Sequence, residues 1–386
     1  MPGSPKEVAA KKAWFELVEL GIVEKVGPSK SNTWLSPVHF VPKADGVSLR
    51  PTGDFRGLNQ RTELDLFPLP HLLDFTDKIA GSVVFSKVDL RKSFHQILID
   101  PRDQFKTCVT TPWGLYNFKR LAMGLQNSAQ SFQRLLQEVV GDLEHVFIYL
   151  DDLLIYNVNK ETHLKTLREL FKRLSSAGLT LALDKCQFGR TELDYLGYSV
   201  SAAGIKPMPK KVKALQMFPP PSTQKELLAF LGALNYYRSS LPKLSPEESA
   251  EEAASDRSPA EVLDPLYKLA TCKVEKKKGC SFKDIWEASS KIKNSFIDAK
   301  KLVEKAITLN YPIPSAPLAL WTDASKHHLG ASLDQWVDGA WRPLGLWSKS
   351  LSPSQQNYST YLRELLAIKF AIRHFINDIN GRRLTI

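Results

Sequence analysis

Two adjacent carboxylates, Asp151 and Asp152, lie between two apolar and aromatic runs in VFIYLDDLLIY, Val146–Tyr156. Runs this short and this rich in β-branched and aromatic residues read as two buried strands, with the acid pair at the turn of a hairpin. An Asp-Asp pair alone more often marks an ordinary exposed turn, so a partner has to be found. FSKVDLRKSF supplies one: VVFSKV reads as a strand, Asp89 stands at its end, and Phe94 follows five residues later. Asp89 precedes Asp151 by 62 residues, enough for a helix-bearing crossover between neighbouring strands. Carboxylates beside an apolar core are costly without a compensating cation. Three of them on one sheet edge suit two metal ions ~3.5–4 Å apart, which activate an attacking hydroxyl and stabilise a transferring phosphoryl group.

Other residues could serve that chemistry. Lys43 and Arg50 flank the Asp45-Gly46 turn signal of a hairpin, where they either reach toward a triphosphate or remain solvated surface charges. Gly124 and the Gln126-Asn127-Ser128 cluster stand at the entrance of a helix with Asn127-Ser128 as cap residues, where backbone can approach a ligand closely. Gln133, on the same helix, reads as structural. Lys185 lies near the expected acidic site and either donates a proton to a leaving pyrophosphate or is an ordinary surface lysine. Tyr195, Leu196 and Tyr198 sit in a hairpin read over Asp194–Ile205, available to brace a strand of nucleic acid. Far along the chain, Asp323 on a strand and Glu364 on a helix look like two members of a second acid cluster. His327 and His328 lack a third ligand at recognisable spacing, which argues against zinc.

The elements that must position these groups follow from period and punctuation. Residues 7–26 read as a helix ending at Gly21 and a short extended piece. Leu164, Leu167, Leu170, Phe171 and Leu174 recur at helical spacing over 161–177. Residues 206–225 carry five lysines and no acid, and a helix follows from Thr223 to Ser239 with Gly232 and Tyr236-Tyr237. Acidic 245–257 reads as a surface linker. Lys and Arg outnumber Asp and Glu by 52 to 41, a surplus of +11 that favours a polyanionic partner, nucleic acid before membrane. Cys108, Cys186, Cys272 and Cys280 form no CxxC pair and fit reduced thiols inside a cell. No apolar run reaches the roughly 18 residues of a membrane span.

Taken in order, SPVHFVPKADG, DFRGLNQRT, FSKVDLRKSFHQI, LAMGLQNSAQSFQ, YLDDLLIY, LDKCQF, YLGY and FLGALNYYR resemble the reverse transcriptase of gypsy-like LTR retrotransposons. WTDAS with YLRELLAI resembles the start of the ribonuclease H domain that follows it in that family. The resemblance implies an α+β, right-hand polymerase with an antiparallel palm sheet: fingers and palm over 1–205, thumb over 206–245, a linker or connection over 246–315, and a partial ribonuclease H-like α/β domain over 316–386. It implies Asp89, Asp151 and Asp152 as catalytic carboxylates, with the Leu90 carbonyl as a further metal ligand, and Lys185 as proton donor. Lys43, Arg50, Phe94, Met123 and Gln126 would face the nucleotide. Tyr149, Tyr195, Leu196, Gly197, Tyr198, Gly232 and Tyr236 would face primer and template.

The same resemblance implies two Mg²⁺ ions, Mn²⁺ substituting, with an RNA template, a DNA primer or RNA–DNA hybrid, and dNTPs as partners. It implies no membrane, an intracellular, cytoplasmic setting within virus-like particles, and a homodimer as one assembly. Two departures stand out: Ala122 replaces the proline of the family's LPxGL motif, and Met123 occupies a position that is usually Phe or Gln. The family's next ribonuclease H acid would fall beyond Ile386, so the Asp323–Glu364 pair is expected to be incomplete and without nuclease activity. The rival expectation is a catalytically silent, nucleic-acid-binding remnant or structural subunit.

Overall fold

Ser4 caps the first helix by accepting from the Glu7 N–H, and a proline in the first turn starts α1 (Pro5–Glu19). It ends at Gly21, whose φ of +63° is the left-handed conformation that glycine adopts without strain. The computed structural model describes residues 4–27, 34–42, 48–71, 74–250, 256–272 and 281–386. They form two units, Met1–Asp74 with Val84–Arg190, and Phe75–Val83 with Thr191–Ile386.

In the first unit, β1 (Val23–Val26), β2 (Ser36–Pro42), β3 (Leu49–Gly53) and the short α2 (Arg56–Asn59) follow α1, whereas the short α3 (Phe75–Lys78) belongs to the second unit. β2 and β3 pair antiparallel from Val38↔Gly53 to Pro42↔Leu49, as their alternation predicts. The Asp45-Gly46 turn and Lys43 lie outside the described residues. After β4 (Val84–Asp89) come β5 (Val109–Thr111) and β6 (Gly114–Phe118), completing a sheet of order β1-β6-β5-β2-β3. Buried Trp14 of α1 meets Tyr116 and Phe118 edge-on, at 5.3 and 6.3 Å between ring centres.

The remaining elements of this unit are α4 (Ser128–Val140), β7 (Val146–Tyr149), β8 (Asp152–Asn157), α5 (Lys160–Ser176) and β9 (Gln187–Arg190). The strands make an antiparallel sheet of order β7-β8-β4-β9. Phe132, Leu136, Leu167, Leu170 and Leu174 of the two helices pack with Val88, Ile148, Leu153 and Ile155 of the sheet. Each fully buried side chain of this size contributes about 1.5–3 kcal/mol. Leu164 is the exception to the predicted apolar stripe, exposed because it falls off that face. A buried polar chain ties the layers together: the Gly189 N–H donates to Ser86 Oγ at 2.9 Å, Ser86 Oγ lies 2.6 Å from His163 Nε2, and His163 Nδ1 lies 2.8 Å from Asn157 Oδ1.

The second unit opens with a meander, β10 (Glu192–Tyr195), β11 (Tyr198–Ser201) and β12 (Gly204–Pro207), one strand more than the predicted hairpin. Helices α6 (Pro209–Gln216), α7 (Gln224–Asn235), α8 (Pro259–Thr271), α9 (Phe282–Ala288) and α10 (Ser290–Glu304) follow. The stretch expected as a surface linker is anchored at its ends. Leu244 and Arg257 are buried and exchange two backbone hydrogen bonds of 2.8 Å. Arg257 also reaches Asp298 of α10 at 2.9 Å, with side chains only 6% and 0% exposed. The last sheet runs β15-β14-β13-β16, from β13 (Leu318–Ala324), β14 (His328–Val337) and β15 (Ala340–Ser350) to β16 (Leu384–Thr385), which pairs parallel to β13. Between β15 and β16 lie α11 (Pro353–Gln356), α12 (Thr360–His374) and α13 (Ile376–Ile379). Ala371 and Phe375 pack with Leu318, Leu320 and Leu333 of this sheet. No helix of the described residues is long and apolar enough to cross a membrane.

Candidate active site

Asp89 is the last residue of β4, and its register partner on β8 is Asp152. Two of the three predicted carboxylates are therefore direct cross-strand neighbours, with Cα atoms about 4.5–5.5 Å apart by sheet geometry. The sequence placed both acids of the Asp pair at a turn; the structure splits them. Tyr149 pairs with Asp152 across a two-residue turn, so Leu150 and Asp151 form the tip and Asp152 opens the strand. Leu150 takes φ +51°, a conformation that costs a branched residue about 1–2 kcal/mol. Buried Gln133 holds it there: its Oε1 accepts from the Leu150 N–H at 2.8 Å and its Nε2 donates to the Ile148 carbonyl at 3.2 Å. The structural reading of Gln133 agrees with this placement.

Like-signed groups directly opposite one another repel, and two lysines offset the repulsion. Lys87 Nζ lies 2.8 Å from Asp152 Oδ1, and Lys185 Nζ lies 3.4 Å from Asp89 Oδ1. Burial raises the pKa of Asp89, Lys185 opposes that shift, and the charges of Asp152 and Asp151 add to it. The Asp89 backbone is fastened from the other side, its N–H toward Cys186 Sγ at 3.4 Å and its carbonyl accepting from the Ala182 N–H at 2.9 Å. The Leu90 carbonyl accepts from the Ser93 N–H at 3.4 Å. The three carboxylates expected to converge lie at one strand end and its adjoining turn. Among the described residues no three His, Cys, Asp or Glu side chains close into a metal-binding cluster. Asp89 and Asp152 are each drawn to a lysine instead.

Phe94 follows in the 3-10 turn Ser93–Gln96, half-buried with its ring 5.4 Å from that of Phe132. Arg50 is exposed on β3, opposite Val41 of the hairpin. Tyr149 and Met123 are half-buried. Gly124, beside Met123, has φ +92°, and a Cβ there would meet the Gly53 carbonyl at 3.4 Å. Gln126, expected to face the nucleotide, is half-buried and braced. Its N–H donates to Asn59 Oδ1 at 2.9 Å and its Nε2 to the Thr62 carbonyl at 3.1 Å. Asn127 likewise spends its amide on Asp65 and Glu63 and makes no side-chain cap bond. Ala122, the departure from the motif, is buried, and its carbonyl accepts from Ser128 Oγ at 2.8 Å.

In the second unit, Tyr195 and Tyr198 are fully buried, so neither ring is available to brace a nucleic acid strand. Tyr195 packs edge-on against Phe75 at 5.4 Å, and Tyr198 donates to the Tyr236 carbonyl at 2.9 Å. Strand alternation sends both inward and leaves the turn between them, Leu196-Gly197, as the presented feature. Tyr236 and Tyr237 hold that turn by donating to the Leu196 and Gly197 carbonyls. A groove of about 590 Å³ follows, lined by the turn, Lys211 of α6, and Gly232 and Tyr236 at α7. Gly232 has open space around it. Asp323 on β13 is exposed and ion-paired to Lys243 at 2.7 Å, while Glu364 lies half-buried on α12.

Sequence reading missed Lys87, although a residue two before Asp89 on a strand must share its face. It also missed the Asn59–Gln126 clamp, which no local signal announces. Residues 41–200 match the family described as reverse transcriptase (RNA-dependent DNA polymerase), and residues 289–386 match the RNase H-like domain found in reverse transcriptase. The retrovirus-related Pol polyprotein from transposon 297 of Drosophila melanogaster is 33% identical over 384 residues, 98% of this chain and 33% of that protein. The gypsy Pol polyprotein of the same organism is 30% identical over 372 residues, 95% of this chain and 34% of that one. The chain thus spans about a third of the length of the curated relatives it matches. The foamy viral protease-reverse transcriptase in complex with double-stranded DNA shares the fold, with TM-score 0.81 and 21% identity over 97% of this chain and 61% of that one. Its complex with RNA/DNA hybrid gives 0.79 and 20% over 99% and 48%. Strand-end acids in register, a YLDD turn and an RNase H-like sheet in this order place the chain in the reverse transcriptase family of gypsy-like retrotransposon Pol polyproteins.

Proposed function

We propose that this chain is an RNA- and DNA-templated DNA polymerase that extends a primer 3′-hydroxyl with dNTPs. The single observation that carries the reading is the cross-strand pairing of Asp89 with Asp152, beside Asp151 in a braced two-residue turn. In the reaction the primer hydroxyl attacks the α-phosphorus in line, its proton is lost, and the bond to the leaving pyrophosphate breaks. Lys185 gives a proton to that leaving group, a role its 3.4 Å approach to Asp89 Oδ1 supports. Phe94 borders the sugar, Arg50 and Lys43 meet the triphosphate, and the Leu196-Gly197 turn with Gly232 and Tyr236 receives the primer strand.

The donor set is all oxygen, which suits hard divalent cations, and burial first, with the Asp152 and Asp151 charges adding less, raises the pKa of Asp89, so a cation would favour its charged form. Asp89, Asp151, Asp152 and the Leu90 carbonyl would hold two Mg²⁺ ions, or Mn²⁺ in their place, which when bound acidify the hydroxyl and neutralise phosphoryl charge. The same reading extends to an RNA template or RNA–DNA hybrid as partner, a homodimer as assembly, and an intracellular setting in virus-like particles. Primer extension on an RNA template with Mg²⁺ tests it, with the wild-type chain incorporating dNTPs and Asp151→Asn failing to. Extension that survives Asp151→Asn would overturn the reading. Template binding without incorporation by the wild-type chain would replace it with a silent nucleic-acid-binding subunit.

A further inference from the structure

A second charged feature of the first unit is unused by the polymerase reading. A pocket of about 280 Å³ is lined by Leu20, Ile22, Arg91, Lys92, His95, Gln96, Arg120, Gly178 and Thr180. Four of these are basic side chains, and among the described residues the one carboxylate ion-paired to any of them is Glu16, at 2.7 Å from Lys92 Nζ. Arg91, Lys92 and Arg120 share this lining with His95, whose pKa burial lowers and the nearby charges of Lys92 and Arg120 lower further.

The ordinary explanation would be that they compensate the carbonyl ends of helices, since α1 and α5 both finish here. Those ends are already satisfied by backbone. Gly21 and Ile22 donate to the Val18 and Leu17 carbonyls, and Gly178 and Leu179 to those of Ser175 and Leu174. Each is a Schellman closure with glycine in the left-handed conformation, so the cations are not needed as caps.

The pocket is also rigidly built. Gln96 Nε2 donates to the Arg91 and Thr180 carbonyls at 2.8 and 3.0 Å, and its Oε1 accepts from the Thr180 N–H at 2.7 Å. The Arg91 N–H donates to the Thr180 carbonyl at 3.0 Å, which locks the two loops together. Arg120 is oriented through one nitrogen only, Nη1 donating to the His95 and Gln96 carbonyls at 3.2 Å each. Its remaining donors, and the exposed guanidinium of Arg91, make no further hydrogen bond among the described residues. A fixed guanidinium fork with a second one beside it suits a tetrahedral oxyanion.

We propose that the Arg91–Lys92–Arg120 pocket is a binding site for a phosphate group, separate from the carboxylate site and independent of metal. At about 280 Å³ the space matches a phosphate-bearing fragment and falls below the 300–1,000 Å³ usual for larger ligands. The phosphate comes either from a small oxyanion such as pyrophosphate or from the backbone of a single-stranded nucleic acid.

The test is equilibrium dialysis of the full chain with labelled inorganic pyrophosphate in EDTA, where metal-dependent binding at the acid site is removed. Saturable binding at one site is expected, with Arg91→Gln weakening it about tenfold or more and Asp151→Asn leaving it intact. Arg91 is exposed and its side chain makes no hydrogen bond among the described residues, so this variant keeps the fold, which circular dichroism checks; Arg120→Lys, retaining charge without the fork, should weaken binding as well. Competition by an unlabelled single-stranded oligonucleotide, lost in Arg91→Gln, assigns the backbone as the source; no competition assigns the small anion. Absence of saturable binding, or equal binding by wild type and Arg91→Gln, overturns the site. Primer extension by the same preparation stands or falls separately, because it needs the metal that this measurement excludes.

Discussion

The chain carries two acid pairs that look alike as sequence and are built by different physics. Asp89 and Asp152 are joined by a strand ladder, and Asp151 by a two-residue turn, so backbone hydrogen bonds dictate their spacing. Asp323 and Glu364 come from a strand and a helix, and what relates them is the apolar packing of α12 on the last sheet. The first acids are half-buried, and two of them are offset by Lys87 and Lys185. Asp323 is 65% exposed and is ion-paired to the solvent-exposed Lys243. A ladder fixes neighbours to within fractions of an ångström without help from elsewhere, whereas packing fixes them only as well as the core does.

The sharpest way to break this comparison is to neutralise one acid in each region. Asp89→Asn should lower primer extension by about 10²–10³-fold, on the scale of losing one stabiliser of transition-state charge, while Asp323→Asn leaves it unchanged. Steady-state incorporation on a homopolymer template measures both, and equal losses would show that the regions are not independent. Next in size is a packing lesion. Arg257→Met leaves buried Asp298 without its guanidinium and should destabilise the second unit by about 3–5 kcal/mol, read from a shift of the denaturant midpoint. A variant that unfolds like wild type would mean that the pair contributes little and that the helices hold by apolar contacts alone.

A smaller effect separates the regions by pH. Burial lowers the pKa of His163, which sits in the hydrogen-bonded chain under β4 and β8. Its unfolded value is about 6.5, so the unfolded state takes up the proton first. Stability is complete above that pH and falls as pH drops through the window between the unfolded value and the lowered folded one. His163→Gln should flatten this part of the stability–pH curve relative to wild type, measured by urea melts from neutral to mildly acidic pH. An unchanged slope would assign the acid sensitivity to the other histidines whose pKa is lowered, His95, His328 and His374. Smallest of all, Lys243→Ala removes an exposed ion pair and should cost no more than about 1 kcal/mol in a thermal melt. A larger loss would show that Asp323 is held more tightly than its exposure suggests.

How much could be read in advance differs by interaction type. The hairpin VFIYLDDLLIY, the strand ending at Asp89 and the α4 and α5 helices were legible because period and flanking residues are local properties. The roles expected of the Tyr195 and Tyr198 rings were misread for one reason. A side chain's exposure depends on what packs over it, and Phe75 and Tyr236 lie 120 and 38 residues away in the chain. The acidic 245–257 stretch looked like linker because composition reports charge, whereas the partner that anchors it, Asp298, is on another helix.

The sequence by itself determined that acids would stand at a strand end and a hairpin tip, because alternation and turn chemistry act over a few residues. It also carried the ordered motifs that place the chain in its family. Only the tertiary structure decided that Asp89 faces Asp152 across adjacent strands, that Lys87 and Lys185 claim those carboxylates, and that Arg91 and Arg120 share a pocket. Register and pocket walls are made by residues brought together from distant parts of the chain, and no local pattern encodes which strand will lie beside which.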